Sequence, residues 1–176
     1  MKILIVEDEF LLGLLVGETL ADAGHEILGP ATCQAEALTL AAENTPALAF
    51  VDIELAGSSS GIELASELGR RGIPCVFATG QPERAREHRE LALGLVPKPY
   101  NPMTLIEVAR YVTAIAAGER GTRVPRGFES FALQAEADPA GADSRQGAAP
   151  YAVSRVGISQ AAEPLPEGGV LATVAG

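Results

Sequence analysis

Along the first 120 residues, short β-prone apolar runs alternate with stretches of helical period. "KILIV" (2–6) and "ALAFV" (47–51) are continuous apolar runs, the pattern of strands covered on both faces. "HEILGPA" (25–31) is a weaker strand, "PCVFAT" (74–79) a strong one and "GLV" (94–96) a short one. Between them the period changes to that of a helix. The first helix is expected over about residues 11–23, with Leu12, Leu15, Val16, Thr19 and Leu20 on its inner side and Gly24 ending it. An Ala- and Leu-rich helix over 34–44 ends before Pro46. A third helix, "IELASELGRRG", follows a Gly/Ser loop, and a polar fourth helix over 82–93 begins with Pro82 in its first turn. In the last helix Asn101 is the cap and Pro102 the first residue; it runs to about residue 117 and turns Leu105, Ile106, Ala109 and Val112 inward.

Strict alternation of strands and helices with short connections implies an α/β fold with a parallel sheet covered on both sides. Five such units suit a doubly wound five-stranded sheet of order 2-1-3-4-5, whose functional crevice lies beyond the carboxyl ends of strands 1 and 3. The pattern dissolves further on. Residues 121–176 hold 8 Gly and 5 Pro without long aliphatic clusters, so 119–176 is expected to be a largely flexible tail after a domain over 1–118, with one short helix near 131–137.

Composition narrows the function. A net charge of −10 argues against a nucleic-acid partner, since phosphate backbones require clustered Lys and Arg. No apolar run is long enough for a membrane span, and Glu7, Asp8 and Glu9 interrupt the N-terminal run too early for a signal peptide. Cys33 and Cys75 are too far apart for a CxxC site and too few for a disulfide framework. A cytoplasmic chain with reduced, space-filling thiols is expected.

The polar residues at strand ends carry the chemistry. Strand 1 ends in Glu7, Asp8 and Glu9, strand 3 in Asp52, strand 4 in Thr79 and Gly80, and strand 5 leads into Lys98. Of 13 basic residues only Lys2 and Lys98 are lysines, and Lys98 is held between Pro97 and Pro99. Carboxylates gathered at one crevice repel one another and call for a cation, and a hard, oxygen-rich site on rigid strand ends suits Mg²⁺. A carboxylate there can attack a phosphoryl donor, with a compact ammonium and a hydroxyl to meet the phosphoryl oxygens. Taken singly, these residues have ordinary readings as turn acids, helix-start charges or surface cations; their joint placement favours the chemistry. His25 and His88 stand apart from the cluster, and Cys75 reads as packing.

The order Glu7-Asp8, Asp52, Thr79-Gly80, Lys98-Pro99 resembles the receiver domain of bacterial two-component response regulators over residues 1–118. The resemblance implies that Asp52 is the phosphoacceptor and that Glu7, Asp8, Asp52 and the backbone carbonyl of Glu54 bind Mg²⁺. It further implies that Thr79 and Lys98 contact the phosphoryl group and that the Lys98–Pro99 bond is cis. A histidine kinase or phosphotransfer protein would be the donor, and an unidentified downstream protein would receive the signal from a stand-alone monomer or weak dimer. "FATG" (77–80) and Tyr100 are similar to the FATGUY-type subgroup, although Gln81 stands where that pattern has an aromatic. Leu95 occupies the position of the usual aromatic switch residue, which makes Leu95 and Tyr100 the switch candidates. The other readings are a metal-dependent phosphatase with an Asp nucleophile, which would want Asp-x-Asp after its first strand, and a receiver-like module that works without phosphorylation.

Overall fold

The structure is a computed structural model and describes residues 1–56, 60–119 and 121–131. Strands β1 (Lys2–Val6), β2 (Glu26–Ala31), β3 (Leu48–Val51), β4 (Cys75–Thr79) and β5 (Gly94–Pro97) form a parallel sheet in the expected order 2-1-3-4-5. Helices α1 (Phe10–Asp22), α2 (Gln34–Asn44), α3 (Gly61–Arg70), α4 (Pro82–Glu87) and α5 (Pro102–Ala116) connect and cover it.

Successive strand residues face opposite ways, so the apolar runs supply two cores at once. Leu4, Val6, Ala49, Val51, Cys75, Phe77 and Leu95 join Ala37, Ala41, Leu64 and Leu68 of α2 and α3 on one side. Ile3, Ile5, Leu48, Phe50, Val76 and Val96 join Val16, Leu20, Leu105, Val108 and Val112 of α1 and α5 on the other. Asn101 caps α5 as expected, its side chain accepting from the Met103 N–H at 3.0 Å.

Three features depart from the sequence reading. In α1 the inner face is Gly13, Val16, Gly17 and Leu20, whereas Leu15 is 51% exposed. The glycines decide this. A Cβ on Gly13 would lie 2.6 Å from the Pro30 Cβ, so the helix turns its glycine side inward to approach β2 closely and leaves Phe10, Leu11, Leu14 and Leu15 outside. Helix α4 spans only Pro82–Glu87, and a separate 3-10 turn, Arg89–Leu91, follows it. Ala85 is its only buried residue, too little apolar face to sustain the expected helix over 82–93, and the Leu93 N–H instead joins the sheet at the Cys75 carbonyl, 2.8 Å away.

The third departure is a sixth strand, β6 (Glu129–Ser130), antiparallel to β5 and placed beyond the boundary expected at residue 118. Phe128 and Phe131 flank it and are buried, one in each of the two cores. Two aromatics in a Gly- and Pro-rich stretch give no periodicity to read, yet they suffice to close the open edge of β5. The short helix expected near 131–137 lies outside the described residues apart from Phe131 itself.

Gly61 starts α3 directly above the Asp52 carbonyl: a Cβ there would collide with the Asp52 backbone. Gly61→Ala should therefore cost about 3 kcal/mol of stability, since the backbone must move to admit it; an unchanged urea midpoint would contradict this close packing. Burial pushes the Cys75 thiol pKa up to about 12, while Cys33 is half-buried at the start of α2. At pH 8, iodoacetamide should alkylate Cys33 and spare Cys75 until the protein is unfolded, as read by peptide mass mapping.

Candidate functional site

The carboxyl ends of β1, β3, β4 and β5 meet at one edge of the sheet. Backbone bonds fix the acids there: the Glu7 N–H donates to the Ala31 carbonyl at 2.9 Å and the Asp52 N–H to the Val6 carbonyl at 3.0 Å. These two bonds extend the parallel ladder by one residue past each strand and set Glu7 and Asp52 side by side. Both side chains are nearly excluded from solvent, whereas Asp8 is exposed at the rim. Carboxylate oxygens of Glu7, Asp8 and Asp52 all lie within 4.8 Å of one another, the only such cluster among the described residues.

Lys98 enters from the end of β5. Its backbone N–H donates to the Thr79 carbonyl at 2.8 Å, and the Lys98–Pro99 bond is cis, as expected. Its ammonium Nζ reaches Asp52 Oδ2 at 2.7 Å and both oxygens of Glu7 at 2.7–2.8 Å. Burial works against the charged ammonium, but the hydrogen bonds and charges of Asp52 and Glu7 outweigh it and hold its pKa above the usual lysine range. For Glu7 the balance goes the other way: burial raises its pKa, Asp52 adds repulsion, and the bonds from Lys98 and from the Glu9 N–H offset only part. One cation serves two buried acids and a third at the rim, so the cluster is short of positive charge. All its free ligands are hard carboxylate oxygens, and that donor set fits a divalent cation such as Mg²⁺.

Thr79 ends β4 fully buried, and its Oγ1 accepts a bond from the Gln81 N–H at 3.2 Å, one residue before α4. Glu54 directs its backbone N–H to Asp52 Oδ1 at 3.2 Å and forms an antiparallel bridge with Ser60. Leu95 is fully buried, paired with Phe77 on one side and Glu129 on the other. Tyr100 packs on the α1/α5 side, in a small cavity lined also by Glu7, Gly13 and Ala78; burial and the nearby carboxylates push its phenol pKa up to about 12. Glu9, by contrast, takes no part in the cluster and precedes the first residue of α1. Gly61 packs against the backbone of Asp52, a contact the sequence reading missed; this close approach has no signature in the chain beyond a glycine after serines.

Comparison with known proteins agrees with this geometry. Residues 3–110 match the model of the response regulator receiver domain. The phyllosphere-induced regulator PhyR of Methylorubrum extorquens is 35% identical over 111 residues, which covers 61% of this chain and 41% of PhyR. The chain thus spans less than half the length of that relative. Among solved structures, the receiver domain of NtrX from Brucella abortus has a TM-score of 0.57 at 32% identity, covering 61% of this chain and 94% of that one. The PhyR receiver domain of Erythrobacter litoralis has a TM-score of 0.56 at 31% identity, covering 69% and 93%. Among the described residues no helix is long and apolar enough to cross a membrane. With the acidic cluster at the strand ends, a lysine across it and a family match over most of the described residues, this chain belongs to the response regulator receiver domain family, a signalling module with an acidic pocket of the kind receivers use for Mg²⁺.

Proposed function

We propose that the chain is a cytoplasmic phosphorelay receiver, resembling the FATGUY-type subgroup, in which Asp52 accepts a phosphoryl group from a histidine kinase or phosphotransfer protein. The observation that carries this reading is the Lys98 ammonium held 2.7 Å from Asp52 Oδ2 in a pocket with two further acids. An Asp52 oxygen attacks the phosphorus of phosphohistidine, the P–N bond breaks, and the imidazole leaves with a proton. Asp52 is suited to this role because the Glu54 N–H and Lys98 fix its carboxylate.

Glu7, Asp8 and Asp52, with the backbone carbonyl of Glu54, would hold Mg²⁺, which when bound supplies positive charge to the phosphoryl oxygens. Lys98 stays within reach of a third oxygen, and Thr79 gives up the Gln81 N–H to turn its hydroxyl toward another. Phe10, Leu11, Leu14 and Leu15, exposed on α1 beside the acidic strand ends, offer the donor an apolar surface. Output then passes to a protein partner through the segment after Thr79, with Tyr100 as the aromatic nearest the pocket, since the buried Leu95 has no ring to rotate. Neither the phosphatase reading nor the passive module gains an observation: the nucleophile sits on the third strand, and every pocket residue is present.

Incubation with Mg²⁺ and acetyl phosphate should add one phosphoryl group, acid-labile and lost in Asp52→Ala; turnover of phosphoesters would instead support a phosphatase, and no gain a passive module. Lys98→Ala leaves the two buried acids facing each other and should lower stability by about 2 kcal/mol, reduced from the fully buried case because Lys98 is partly exposed. Mg²⁺ should restore part of that loss in the variant. A melting temperature indifferent to both changes would remove the electrostatic argument.

A further inference from the structure

The sheet edge beyond β5 is closed by residues 128–131, and this strap is held in an unusual way. Its backbone pairs with β5 over only two positions, Gly94 with Ser130 and Leu95 with Glu129, extended by the Phe131 N–H to the Leu93 carbonyl at 2.9 Å. Phe128 goes to the α5 side, edge-on to Tyr111 with ring centroids 5.7 Å apart, and Phe131 goes to the α3/α4 side. Gly94 is shaped for this occupant: a Cβ there would strike the Glu129 carbonyl and the Phe128 ring. Between the two aromatics, Glu129 takes a forked set of bonds from Arg86 of α4, Nε to both carboxylate oxygens at 3.0–3.2 Å and Nη2 to Oε2 at 2.9 Å.

Two observations mark the strap as detachable. The Ser130 hydroxyl is buried with no hydrogen-bond partner among the described residues, a cost recovered when the strap lifts into water. Its clamp, Arg86, stands on the helix with the least anchorage, six residues with Ala85 alone buried. That helix begins directly after Gln81, whose N–H is held by Thr79 Oγ1. The path from Asp52 to the strap is thus short: pocket, Thr79, Gln81, α4, Arg86, Glu129.

We infer that residues 128–131 are an intramolecular ligand of the β5 edge, and that phosphorylation of Asp52 releases them. When Thr79 turns toward the phosphoryl group, the Gln81 N–H loses its acceptor, α4 shifts, and Arg86 no longer presents its fork to Glu129. The two-residue ladder then opens and uncovers Gly94, Leu95 and the two aromatic pockets. The uncovered edge is a β-addition site for an extended segment carrying an acid between two aromatics, the chemistry the strap itself displays.

The coupling rests on the phosphoacceptor reading, and one experiment on the full chain separates the two. Amide exchange at Phe131 is followed by NMR with Mg²⁺, with and without excess acetyl phosphate, and the phosphorylated fraction is read by mass in the same samples. Exchange at Phe131 should quicken by about tenfold or more on phosphorylation, while amides of β1 and β3 keep their protection. Asp52→Ala should show no response. Gly94→Ala should open the strap without any phosphodonor and leave the β1 and β3 amides protected. Phosphorylation with unchanged Phe131 exchange would overturn the release and leave the phosphoacceptor standing; absence of phosphorylation would overturn both. Unchanged Phe131 exchange in Gly94→Ala would show that the edge is not a fitted site.

Discussion

One ammonium holds two buried carboxylates together at the ends of β1 and β3. Like charges this close repel strongly in a solvent-poor setting, and the arrangement persists only because Lys98 is delivered between them from β5. The parallel sheet makes that delivery possible. Its five parallel strands all end on the same side, so side chains from positions 7, 52 and 98 converge without any loop having to fold into the crevice. Prolines on either side of the lysine and the bond from its N–H to the Thr79 carbonyl keep the cation at a fixed place. The pocket is short of positive charge as it stands, a property that suits a site for a divalent cation.

The same strand ends connect the pocket to the far edge of the sheet. Thr79 is both the hydroxyl of the pocket and the acceptor that anchors the residue before α4. Helix α4, which begins directly after Gln81, is short and weakly buried, with Ala85 its one buried residue and Arg86 next to it. Leu95, buried between β4 and β6, is a fixed part of the core. Glycines set the tolerances: Gly61 lets α3 start against Asp52, and Gly94 admits the strap.

The sequence by itself determined the strands, their parallel order and the acids, hydroxyl and lysine at their ends. Short, β-branched apolar runs such as "KILIV" read as strands buried on both faces, and in a parallel sheet a residue that follows such a run lies at the crevice. The face of α1 was not legible, because its residues are apolar almost all round and the choice fell to the close approach of Gly13 to Pro30. The length of α4 was equally hidden, since it depends on whether Leu93 joins the sheet, which is a pairing and not a propensity. Only the tertiary structure decided that Phe128 and Phe131 belong to the domain. Their burial draws on both cores and on a bare strand edge more than thirty residues earlier in the chain, and long-range pairing of that kind leaves no periodic trace in the sequence.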